Sequence, residues 1–216
     1  GNMTTNRGAL TLAGDTQLAA NVTIDTWQHL SNSQTGTAGA VTISGTGISG
    51  TAAGRTLTIN TNTDTSSGYY NPPTNTLSWT QSGGNVSLVS GTSGGYALGT
   101  ITVDTSVAGT YNTGTSGALT LNGVTTTGNQ TYTNAATTLS GSVTSGGTVR
   151  FNTVTSGSSV SGSGVITASN LLLNGLSTTY TLNTGTGHKV STLAATGATN
   201  LLFLNDDVAL TIGTIS

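Results

Sequence analysis

The chain has 216 residues, of which 32 are glycine and none is cysteine, and only 5% are charged, against about 25% in an ordinary globular protein. Four basic residues (Arg7, Arg55, Arg150 and Lys189) stand against six aspartates and no glutamate, a net charge of −2, too few cations to neutralise a row of phosphates or hold an anionic membrane. The lack of cysteine excludes disulfide frameworks, thiolate metal sites and cysteine nucleophiles, and no apolar run approaches the roughly 20 residues of a membrane-spanning helix.

The predicted elements are short strands. Ala9-Leu10-Thr11-Leu12, Asn21-Val22-Thr23-Ile24, Ala40-Val41-Thr42-Ile43 and Thr56-Leu57-Thr58-Ile59 come first, then Thr100-Ile101-Thr102-Val103 and Ala118-Leu119-Thr120-Leu121. In each, aliphatic residues alternate with threonine, so one side of the strand is greasy and the other carries hydroxyls. A solvated linker has no need of such alternation, and no 3.6-residue apolar stripe supports helix. The central threonines are 12, 19, 16, 44 and 18 residues apart, and the gap of 44 has room for a further unit at Val86-Ser87-Leu88. Glycine and asparagine bound the runs, as at Gly45-Thr46-Gly47 and Asn122-Gly123.

A loose repeat of similar strand texts predicts an all-β fold, a parallel β-solenoid with like residues stacked at each level. A coil of roughly 20 residues rising about 4.8 Å would make about ten turns and a rod on the order of 50 Å long. An antiparallel β-sandwich or jelly roll is the alternative. The chain is read as one segment, 1–216, of a longer repeat protein. Within it 60–99 is an irregular insertion protruding from the rod, because the alternation weakens there and Tyr69, Tyr70, Pro72, Pro73, Trp79 and Tyr96 appear.

Residues 123–141 (GVTTTGNQTYTNAATTLSG) and 8–18 (GALTLAGDTQL) resemble the repeats of filamentous-haemagglutinin-type exoproteins, and the resemblance extends over 8–59 and 117–167. It implies a right-handed parallel β-helix in the shaft of a large Gram-negative adhesin, exported through an outer-membrane secretion pore. The Asn-Pro-Asn motifs of that family's secretion domain are not matched by Tyr70-Asn71-Pro72-Pro73, so the resemblance is to the shaft. Residues 1–31 lack the pattern of a signal peptide, and export would depend on a signal outside them.

No catalytic constellation emerges, and the chain is expected not to be an enzyme and to use no cofactor or metal. Asp206 and Asp207 are the one close carboxylate pair, but neighbours on a strand face opposite sides, and Asn205-Asp206-Asp207 reads as a turn. His29 and His188 are each isolated. Asp15, Asp25, Asp64 and Asp104 each precede threonine, which suits Asx-turns better than calcium ligation. Threonine pairs at 61/63, 113/115, 131/133 and 184/186 lack the fixed spacing that an ice-matching face needs. Sequons at Asn2, Asn21, Asn85 and Asn129 permit glycosylation. The candidate ligand-binding residues are Tyr69, Tyr70, Trp79 and Tyr96, flat amphipathic rings fit for a sugar or a protein.

These readings point to a secreted or cell-surface adhesin segment serving cell adhesion and biofilm formation. Its partner would be a glycan or protein on a host or neighbouring cell, with no nucleic acid and no membrane insertion. Rods would also associate end to end through unpaired strand edges. A carbohydrate-binding or carbohydrate-processing β-helix and a phage tail-fibre segment are the alternatives.

Overall fold

A strand with an aliphatic side and a threonine side can bury the first only by stacking on another of the same pattern, and stacking coil upon coil satisfies every strand alike. The computed structural model, which describes residues 1–27, 35–63, 70–71, 76–77, 80–91, 95–107, 115–183 and 186–215, takes that solution. Among the described residues seventeen strands join in one continuous sheet whose pairings are all parallel, wound as a β-solenoid. No antiparallel hairpins among the described residues face each other across two sheets, and the sandwich alternative falls.

The coils contribute strands to three faces. On face I, Leu10, Val41, Val86, Leu119, Thr137, Val160, Tyr180 and Leu201 pair one above the next. On face II, Val124 pairs Val143 and Val143 pairs Ile166. On face III, Val22, Leu57, Ile101, Gln130, Val149, Leu171, Leu193 and Ile212 form the ladder. With Met3–Thr4 paired to Ile24–Asp25 as one further rung of face III, the nine rungs at about 4.8 Å span roughly 40 Å, fewer turns than the uniform 20-residue coil would make. The reason lies in coil length. From Leu119 to Thr137 a coil takes 18 residues (137 − 119), whereas from Val41 to Val86 it takes 45 (86 − 41), the excess being loop.

All the predicted strands are present, and Val86–Leu88 is a rung of face I between Val41 and Leu119. The stretch 60–99 therefore holds rod as well as loop. The uneven threonine spacing also has a cause. Thr11, Thr42, Ser87 and Thr120 belong to face I, while Thr23, Thr58, Thr102 and Thr131 belong to face III, so the sequence interleaves two ladders.

Val, Ile and Leu fill the interior as expected, but Tyr132, Phe151 and Tyr180 are also buried there. Tyr132 pairs with Phe151 one coil on, and their rings stack with centroids 5.4 Å apart. The Tyr132 hydroxyl donates to Gln130 Oε1 at 2.8 Å, and Gln130 Nε2 donates to the Thr144 carbonyl at 2.8 Å and to Thr126 Oγ1 at 3.0 Å. A buried hydroxyl without such a partner would cost about 1–3 kcal/mol, so glutamine here stands where neighbouring rungs carry aliphatics.

Candidate contact surface

Where a face III strand ends, the chain turns toward face I, and the corner repeats one piece of chemistry. Thr26 Oγ1 donates to the Gly39 carbonyl at 2.6 Å, Thr61 Oγ1 to Gly84 at 2.6 Å and Thr105 Oγ1 to Gly117 at 2.7 Å. All three threonines are buried, contrary to the expectation that threonine lines the outside. Each bond ties together the two ends of the segment that leads from face III to face I, residues 27–38, 62–83 and 106–116 respectively. In the next coil the corner needs no loop: Asn134 Nδ2 reaches the Ala136 carbonyl at 2.6 Å. These short polar side chains supply donors to the corner carbonyls, of which Gly117 and Ala136 also accept a backbone N–H, from Ala135 at 3.1 Å and from Leu119 at 2.9 Å.

The glycines that receive these bonds stack on one another. A methyl group added at Gly117 would lie 2.1 Å from the Gly84 oxygen, and one at Gly84 would lie 2.4 Å from the Gly39 oxygen. Only a residue without Cβ lets successive loop returns approach so closely.

Asp25 and Asp104 start two of the loops with the expected Asx-turns: Asp25 Oδ1 accepts from Trp27 N–H at 3.0 Å and Asp104 Oδ1 from Ser106 N–H at 2.9 Å. Trp27 is buried at the base of its loop, with the Arg7 guanidinium 5.0 Å from the ring centroid. Two loops are joined by parallel pairing of Thr35–Thr37 with Thr80–Ser82, and Tyr70–Asn71 forms an antiparallel pair with Thr76–Leu77.

Of the aromatic candidates, Tyr69 and Trp79 lie outside the described residues, and for Tyr70 the structure describes the backbone pairing to Leu77. Tyr96 is 57% exposed and belongs to a different segment, the one leading from Val86–Leu88 to Thr100–Asp104, where its backbone exchanges two 2.8 Å hydrogen bonds with Gly50. Tyr70 and Tyr96 therefore sit in separate excursions of one coil, on either side of its face I strand.

The residues weighed for catalysis have structural surroundings. Asp206 and Asp207 form an exposed turn in which Asp207 takes φ 61° and donates its N–H to Asp206 Oδ1 at 3.0 Å, while Lys189 Nζ lies 3.1 Å from Asp207. His188 is buried against Phe203. His29 and Asp64 lie outside the described residues, and Asp15 lies within the Leu10–Leu18 strand. Thr61 and Thr63 are buried, while Thr131 and Thr133 occupy half-buried outward positions of face III; Thr113 and Thr184 lie outside the described residues.

No family model, curated protein or solved structure matches this chain.

The sequons have a structural cause that sequence reasoning missed. Each of the four asparagines sits just before a strand, and its Oδ1 accepts the N–H of the residue at its own level one coil on: Asn2 from Thr23, Asn21 from Thr56, Asn85 from Ala118 and Asn129 from Thr148, at 2.9–3.2 Å. An asparagine cap, one inward residue and one outward hydroxyl spell the sequon. All four asparagines are exposed.

Proposed function

We propose that the chain is a shaft segment of a secreted bacterial surface adhesin, a rigid rod that holds contact loops out from one corner for a glycan or protein on another cell. The observation that carries this reading is the loop corner: three consecutive coils open at the same level, each closed by a threonine-to-glycine bond, with the rod continuous beneath. Parallel backbone pairing along the whole axis supports a mechanical role without disulfides, and the residue texture of 8–59 and 117–167 supports kinship with adhesin shafts. Exposed Val208, Leu210 and Ile212 in the last coil support end-to-end association of rods, for which light scattering against concentration is the measure.

Loop replacement tests the contact role. The loops 27–38, 62–83 and 106–116 are each exchanged for a two-residue link like the one after Asn134, and attachment of protein-coated beads to cells is measured beside far-UV circular dichroism. The expected result is an intact strand spectrum with attachment lost. Attachment that survives in the loopless rod overturns the proposal.

A further inference from the structure

Outside the loop corner, the outer side of face III carries a polar groove of roughly 180 Å³, lined by Asn129 and Thr131 from one coil and by Thr148, Arg150 and Asn152 from the next. Its volume equals that of about six waters, the scale of a single sugar ring. Arg150 takes the place that threonine holds on earlier rungs, beside Thr131 and Leu172 in the ladder.

The groups in the groove differ in how far they are already committed. Asn129 Oδ1 accepts from Thr148 N–H at 2.9 Å, Thr148 Oγ1 accepts from Asn170 Nδ2 at 3.3 Å, and Asn152 is held between Thr133 and Asn174 at 3.4 Å on each side. These bonds fix the frame and use mainly acceptors. The Asn129 amide N–H₂, the Thr131 and Thr148 hydroxyl protons and the guanidinium of Arg150 remain as donors. Among the described residues the Arg150 side chain makes no hydrogen bond or ion pair, whereas Arg7 lies over Trp27 and Lys189 pairs with Asp207. The nearest aspartate on the neighbouring ladder, Asp104, is two rungs from Asn152 and already accepts from Asn62 and Ser106.

One guanidinium with a surplus of neutral donors matches a single negative charge surrounded by hydroxyls. We infer that this groove binds a carboxylate-bearing sugar, a hexuronate unit, with Arg150 forking onto the carboxylate and Asn129, Thr131 and Thr148 meeting ring hydroxyls. A planar guanidinium takes both carboxylate oxygens at once, and one positive charge balances a monoanion. The mainly polar lining favours a sugar over an acidic peptide, which would bring apolar side-chain surface. The site lies on the rod and is independent of the loops, so it stands or falls apart from the adhesive reading.

Titration calorimetry on the whole chain tests it with four probes: a hexuronate disaccharide, its methyl ester, sodium acetate and an acidic hexapeptide. The expected result is binding of the uronate alone, weakened about tenfold or more in Arg150→Gln. Thr131→Val should weaken it less, and both variants should keep the parent far-UV spectrum, since both positions face outward. Equal binding of the neutral ester, of acetate or of the peptide overturns the inference. So does uronate affinity unchanged in Arg150→Gln. Uronate binding retained after loop replacement, with attachment lost, would separate this site from the loop surface.

Discussion

At Ile166 the backbone N–H meets no carbonyl of the next coil; it donates to Nδ1 of His188 at 3.0 Å. This assigns the proton of the neutral ring to Nε2, which is buried. Burial pushes the imidazole below its ordinary pKa of 6.5, and the Leu182 carbonyl opposes that without reversing it. Because the folded value is depressed, the unfolded chain takes up a proton first as pH falls, and the stability is lost from about 6.5 downward. Thermal unfolding of the coils around 166–205 should therefore move to lower temperature between pH 7.5 and pH 5. His188→Asn, which keeps an acceptor near the Nδ1 position and cannot ionise there, should flatten that slope. An equal slope in parent and variant would remove His188 as its source.

The element that decides the outline of the molecule is the corner between faces III and I. Threonine is stiff and β-favouring, yet Thr26, Thr61 and Thr105 matter through their hydroxyls, which satisfy glycine carbonyls in the interior. Thr105→Val preserves shape and removes the donor, leaving the Gly117 carbonyl with the Ala135 N–H alone, at a cost of about 1 kcal/mol in chemical denaturation. Gly117→Ala is expected to be worse than Thr105→Val, because its methyl would press on Gly84 backbone, which has no flexible end to move aside. Faster limited proteolysis within 106–116 would accompany both changes. Wild-type denaturation profiles for the two variants would contradict the role given to the corner.

Over the whole molecule, each coil touches only the coils above and below, so stability is nearly a sum of neighbour terms. The coils from Leu119 to Leu182 have tight corners, aromatic stacking and dense burial, while the last coil ends in the two-residue strand Thr211–Ile212 with Ile212 71% exposed. Amide exchange should accordingly be slowest in Leu119–Leu121, Gln130–Asn134 and Thr148–Thr153 and fastest beyond 204. Uniform protection from end to end would instead mean a single cooperative unit.

The strands were legible from alternation alone, because Leu-Thr-Leu or Val-Thr-Ile has one physical use, a strand with a dry side and a wet side. Their parallel stacking was legible from the likeness of those texts. Two features were not. The interleaving of faces I and III hid the coil length, since Thr11 and Thr23 look like successive repeats yet stand on different sides of one coil. Buried threonine looks the same as exposed threonine in a string of letters, so the loop-closing bonds and the asparagine caps became visible only in three dimensions. Of the aromatic contact candidates, Tyr70 and Tyr96 were recognisable by type but not by place. Arg150 passed as one scattered cation, because nothing in its neighbours Val149 and Phe151 tells that Asn129 and Thr131 lie beside it. Local alternation determined strand and solenoid, since the two sides of a strand are set by adjacent residues. Tertiary structure decided corner, loop and groove, since these join residues a full coil apart that meet only when one coil is laid on the next.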